Sequence, residues 1–160
     1  MTTKWILLAE DNPHDADLAM RALRANQGGE PVVVAHDGLE ALDCLNHRGA
    51  FKAGAAGNPA VVLLDLKMPK MDGLEVLHCI KTDERFKEIP VVMFTSSREE
   101  TDIVRSYALG ANAYVVKPVD FKKFREAVME VRGFWMDCNE PPPPATVALS
   151  AAVPPPAPAA

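Results

Sequence analysis

The chain has 160 residues, with 17 Lys and Arg against 22 Asp and Glu, for a formal net charge of −5. That length suits about one domain. No apolar run approaches the ~18–20 residues of a membrane span, and the acidic balance argues against nonspecific nucleic-acid binding. Eight of the 14 prolines lie in the last 20 residues, Pro141 to Ala160, where Pro and Ala fill 15 positions. Residues 139–160 therefore read as a disordered Pro/Ala-rich tail, and residues 1–138 as a single folded domain. The apolar run that starts at Trp5 meets Glu10 and Asp11 too soon for a secretory signal. Cys44, Cys79 and Cys138 are odd in number and far apart, which favours a reducing, cytoplasmic setting over a disulfide framework.

The elements follow in alternation. Trp5 to Ala9 is a short, nearly all-apolar run, as in a strand buried on both faces. Ala16, Ala19, Met20 and Leu23 then recur at helical spacing, and Asn26 to Gly29 is a helix stop. Val32 to Ala35 is the second strand, Asp37-Gly38 a turn, and Leu39 to Leu45 a short helix. Residues 48–59 are rich in Gly and Ala and read as a flexible loop. Val61 to Asp65 is the third strand, and Gly73 to about Thr82 the third helix. Val91 to Thr95 is the fourth strand, and Arg98 to Leu109 a helix closed by Gly110. Ala113 to Lys117 is the fifth strand, and Phe121 to about Trp135 the last helix. This pattern predicts an α/β fold, a five-stranded parallel sheet with five helices distributed over both faces.

Ligands in such sheets bind beyond the carboxyl ends of the strands. Those ends carry Glu10 and Asp11, Asp65, Thr95 and Ser96, and Lys117. Three carboxylates at one edge must raise a pKa or hold a cation. Magnesium, a hard ion that takes one or two carboxylates plus a phosphate, fits that chemistry. Asp11, Asp65 and the backbone carbonyl of Lys67 are its candidate ligands, with Glu10 acting through water. Asp65 is then a candidate nucleophile for an aspartyl phosphate. Lys117 would balance phosphoryl charge, and the Thr95 hydroxyl would donate to a phosphoryl oxygen.

The pieces Glu10-Asp11 in ILLAEDNP, the DGLEAL segment from Asp37, Asp65 in DLKMPKMDG, Thr95-Ser96 and Tyr114-Val115-Val116-Lys117-Pro118 together resemble the receiver domain of two-component response regulators, from about Lys4 to Gly133. The resemblance implies the flavodoxin-like strand order 2-1-3-4-5. It implies Asp65 as phosphoacceptor, magnesium on Asp11 and Asp65 with Glu10 assisting, Thr95 and Tyr114 as a switch pair, Lys117 on the phosphoryl group, and a cis peptide between Lys117 and Pro118. EDNPHDADL, the RSYALGANAYVVKPVDF segment and the Gly133-Phe134-Trp135 ending are similar to single-domain receivers paired with bacterial phytochrome-type histidine kinases. That likeness implies a sensor histidine kinase as partner. It also implies a homodimer through the fourth helix, fifth strand and fifth helix, with Tyr107, Val116, Phe121, Phe124, Phe134 and Trp135 as interface candidates.

Two other functions compete. One is a scaffold that binds a kinase without phosphorylation. The other is an aspartyl-phosphate phosphatase, but such enzymes often carry a second aspartate two residues after the nucleophile, where this chain has Lys67. Only about 25 residues follow the last helix, too few for a DNA-binding module. The four histidines show no ligand spacing, although His14 lies three residues after Asp11. Lys67 and Ser97 each follow a site residue by two positions, where their side chains would tune access of attacking water.

Overall fold

The computed structural model describes residues 3–25, 29–54, 56–143 and 157–158. Most of the Asn26–Gly29 helix stop and most of the Pro/Ala tail lie outside the described residues. Five strands, β1 (Ile6–Ala9), β2 (Val32–Ala35), β3 (Val61–Leu64), β4 (Val91–Thr95) and β5 (Ala113–Val116), form one sheet. All four pairings are parallel, in the order β2-β1-β3-β4-β5. Five helices connect and follow them: α1 (Pro13–Arg24), α2 (Gly38–Leu45), α3 (Gly73–Thr82), α4 (Glu100–Ala108) and α5 (Phe121–Arg132). The expected architecture and strand order are those observed.

The alternation of side chains along each strand divides the core in two. Leu7, Ala9, Val62, Leu64, Val91 and Met93 point to one face and pack with residues of α2 and α3. Ile6, Leu8, Val61, Leu63, Val92 and Phe94 point to the other and pack with α1 and α5. The central strands β1, β3 and β4 are buried throughout, while β2 and β5 at the sheet edges are mostly half-buried. This is why the central strands tolerate no polar residue until their carboxyl ends. Among the described residues no helix is long and apolar enough to cross a membrane.

Helix starts follow local chemistry. Asn12 accepts from the backbone N–H groups of His14 and Asp15, and Pro13 opens α1 with a φ already suited to a helix. Asp37 caps α2, Asp120 caps α5, and Asp72 and Glu75 form a reciprocal capping box on α3. Helix α4 has no side-chain cap and starts at Glu100, so Arg98 and Glu99 of the expected helix stand outside it. Gly110 follows its end with φ +101°, a conformation glycine adopts without strain. The loop at 48–59 contains a short 3-10 turn, Gly49–Phe51. The last helix does not simply run to Trp135: after Arg132 it widens into a π-helical turn, Gly133–Cys138.

Candidate functional site: an acidic edge with one buried lysine

Parallel pairing brings the strand ends level. Glu10 N–H donates to Ala35 O, Asp65 N–H to Ala9 O, and Lys117 N–H to Thr95 O, each one residue past the last strand position. The ladder thus delivers Glu10, Asp65, Thr95 and Lys117 to one edge, and all four are buried. Asp11, beside Glu10, is exposed. One carboxylate oxygen each from Glu10, Asp11 and Asp65 lie within 4.8 Å of one another. The Asp65 carboxylate also accepts from the N–H of Leu66 at 2.8 Å, and Glu10 accepts from the N–H of Asn12 at 3.1 Å.

Lys117 neutralises part of this cluster. Its Nζ donates to Glu10 Oε2 at 2.6 Å, Asp15 Oδ2 at 2.9 Å and Asp65 Oδ2 at 3.2 Å. Burial alone would lower its pKa. The hydrogen bond to Glu10 and the charges of Asp65 and Glu10 outweigh burial and hold the ammonium above the usual lysine range. Burial pushes the Glu10 carboxyl up to about 7, with the Asp65 charge adding to the rise and the Lys117 hydrogen bond opposing it. With Lys117 shared between this cluster and Asp15, the carboxylates of Glu10, Asp11 and Asp65 remain under-compensated. This hard-oxygen set, open to solvent at Asp11, fits a divalent cation such as magnesium.

Beside the acids lies a pocket of about 270 Å³ lined by Asp65, Lys67, Thr95, Ser96, Ser97, Arg98 and Glu99. Lys67, the expected source of a carbonyl ligand, lies in the loop immediately after Asp65 with its side chain exposed. Ser97 joins the two expected switch residues. Its N–H donates to Thr95 Oγ1 at 3.4 Å, and its carbonyl accepts from Tyr114 OH at 3.0 Å. Its own hydroxyl donates to Asp102 Oδ2 at 2.6 Å, tying the loop to α4. Burial raises the Tyr114 pKa.

The interface candidates separate. Tyr107 (51%), Phe121 (63%) and Phe134 (52%) are exposed, together with Val104 and Val119. Val116 is half-buried, as is Trp135, which meets Phe134 edge-on. Phe124 is only 4% exposed and packs edge-on against Phe94, so it belongs to the core and not to a surface. Its place follows from α5 turning that face onto the sheet. A second expectation also fails. No described peptide bond is cis, and Lys117 is followed by a trans Pro118. The lysine reaches Glu10, Asp15 and Asp65 in that form, which the X–Pro bond favours by about 0.5–1 kcal/mol. Sequence reading missed Asp15. The one signal for it was an acid in the first turn of a helix that starts next to Asp11.

The chain belongs to the response regulator receiver domain family, whose model matches residues 6–129. The probable methanogenesis regulatory protein FilR2 of Methanothrix harundinacea is 41% identical over 141 residues, covering 88% of each chain. The structure of the bacteriophytochrome response regulator AtBRR is 54% identical, with TM-score 0.69 over 88% of this chain and 100% of that one. The phosphorylated cyanobacterial phytochrome response regulator RcpA is 38% identical, with TM-score 0.82 over 89% of this chain and 100% of its own. This protein is thus a receiver related to phytochrome response regulators.

Proposed function

We propose that this receiver is a magnesium-dependent phosphoacceptor, cytoplasmic and switched by a sensor histidine kinase of the phytochrome type. The observation that carries the reading is the gathering of Glu10, Asp11 and Asp65 at one sheet edge with Lys117 and Thr95 beside them. A carboxylate oxygen of Asp65 attacks the phosphorus of a phosphohistidine. The P–O bond forms as the P–N bond breaks, and the imidazole leaves with the electron pair and takes up a proton. A bound cation would supply charge neutralisation between the acids and the incoming phosphoryl oxygens. Glu10, Asp11, Asp65 and the Lys67 carbonyl would hold it. Lys117 provides a compact positive charge for the phosphoryl group, and the Thr95 hydroxyl donates to one of its oxygens. Ser97 links Thr95 and Tyr114, so movement of the hydroxyl bears on both the ring and α4.

The similarity to AtBRR and RcpA supports the phytochrome pairing, and the exposed aromatics support a homodimer through α4, β5 and α5. Intact protein incubated with acetyl phosphate and magnesium is expected to gain one base-labile phosphoryl mass. The Asp65→Asn variant is expected to gain none. Equal incorporation in the two would overturn the reading, as would no incorporation in the wild type.

The dimer reading is tested at Phe121 and Phe124. Phe121→Asp is expected to weaken self-association in sedimentation while leaving stability nearly unchanged. Phe124→Ala is expected to cost about 3–5 kcal/mol in denaturant unfolding, as a large core truncation does. A wild-type chain that sediments as a monomer at every concentration, phosphorylated or not, removes the dimer.

A further inference from the structure

We propose that Asp15 is a positioning residue of this site, holding the Lys117 ammonium in place when a divalent cation and a phosphoryl group engage Glu10 and Asp65. The inference rests on the phosphoacceptor reading and deepens it. An ammonium has three donors, and here each faces a different carboxylate: Glu10, Asp15 and Asp65. Two of those acceptors, Glu10 and Asp65, belong to the acidic cluster with Asp11. Asp15 does not. It stands in the first turn of α1, its own N–H held by Asn12 Oδ1 at 3.1 Å, where the helix dipole favours a negative charge without any metal. Its side chain is 26% exposed, against 6% for Lys117.

A divalent cation and Lys117 draw on the same two carboxylates. As the cation takes up the charge of Glu10 and Asp65, their hold on the ammonium weakens, and the two cations repel each other. Among the described residues, Asp15 is the one carboxylate partner of Lys117 outside the cluster. It keeps the ammonium at the edge of the site, within reach of a group on Asp65. Without it, Lys117 must either compete with the cation or turn away.

The test labels lysine side chains and follows hydrogen exchange of the Lys117 amine by NMR, with and without magnesium alone. It compares the wild type with Asp15→Asn, Asp15→Glu and Asp17→Asn. Asp17 is a control for charge on the same helix, since its exposed carboxylate pairs with Arg21 at the surface, 3.1 Å away. In Asp15→Asn, magnesium is expected to speed Lys117 exchange by about tenfold or more, as loss of one charge-assisted hydrogen bond would. The wild type and Asp17→Asn are expected to change by less than about twofold on the same scale, and Asp15→Glu to restore protection. Acetyl phosphate incorporation is read on the same samples. If the wild type is phosphorylated and Lys117 in Asp15→Asn exchanges as in the wild type, the positioning role is wrong. If the wild type takes up no phosphoryl group yet Asp15→Asn frees the amine, the role stands and the phosphoacceptor reading falls.

Discussion

Gly73 is where α3 presses on the backbone at the end of β3. A Cβ built there would stand 2.1 Å from the Asp65 carbonyl oxygen and 2.8 Å from Leu66 Cα, both backbone atoms that cannot swing aside. Gly73 N–H also donates to Leu66 O at 2.7 Å. Close approach, not a positive φ, is what requires glycine here. Gly73→Ala is expected to destabilise by at least about 1–3 kcal/mol, the usual cost of overpacking. It should also slow phosphorylation by acetyl phosphate, because relief of the clash displaces Asp65. Chemical denaturation and the phosphoryl mass at early times check the two effects. Loss of stability with an unchanged rate would show that the strain is absorbed on the α3 side.

At the scale of elements, the joints differ in strength. Helix α3 has its capping box and buries Val76, Leu77 and Ile80, whereas α4 has no side-chain cap and buries only Ser106. Amide hydrogen exchange in α4 is therefore expected to outrun that in α3, since local opening costs least where few apolar groups are buried. Equal protection of the two helices would contradict that ranking. The end of α5 is tied differently. Arg132 Nη2 donates to both carboxylate oxygens of Glu30, at 2.6 and 2.8 Å, joining α5 to the entry of β2. This hydrogen bond holds Glu30 below its ordinary value of 4.5. A lowered carboxyl contributes stability that is fully present above its unfolded pKa and lost as pH falls through the folded one. Unfolding free energy should therefore fall below about pH 4.5, and Glu30→Gln should flatten part of that slope while costing about 1.5–3 kcal/mol at neutral pH. An unchanged slope would remove Glu30 from the acid response.

Across the whole molecule, charge and apolar surface occupy different places. Acids converge at the carboxyl edge of the sheet, while Val104, Tyr107, Val119, Phe121 and Phe134 remain exposed on α4, α5 and the segments flanking α5. Ser97 lies between the two regions, bonded to Thr95, Tyr114 and Asp102. Ser97 thus ties the pocket beside Asp65 to α4 and β5 by hydrogen bonds.

Much of this was legible in the chain itself. The apolar runs are short and end in polar residues, so their number, direction and parallel pairing follow from burial on both faces. That same rule placed Glu10, Asp65, Thr95 and Lys117 at one edge, because parallel strands finish together. Tertiary structure alone decided what depends on distance between separate elements. Asp15 became a partner of Lys117 because α1 folds back beside the end of β5, 102 residues away in the chain. Phe124 became core and Phe121 surface, although both lie in one helix, because α5 turns only one of those faces to Phe94. The trans form of the Lys117–Pro118 bond was likewise beyond the sequence, since residue identity permits both isomers and the surrounding structure selects one. Local pattern fixes which residues are polar at a strand end. Only packing fixes which of them touch.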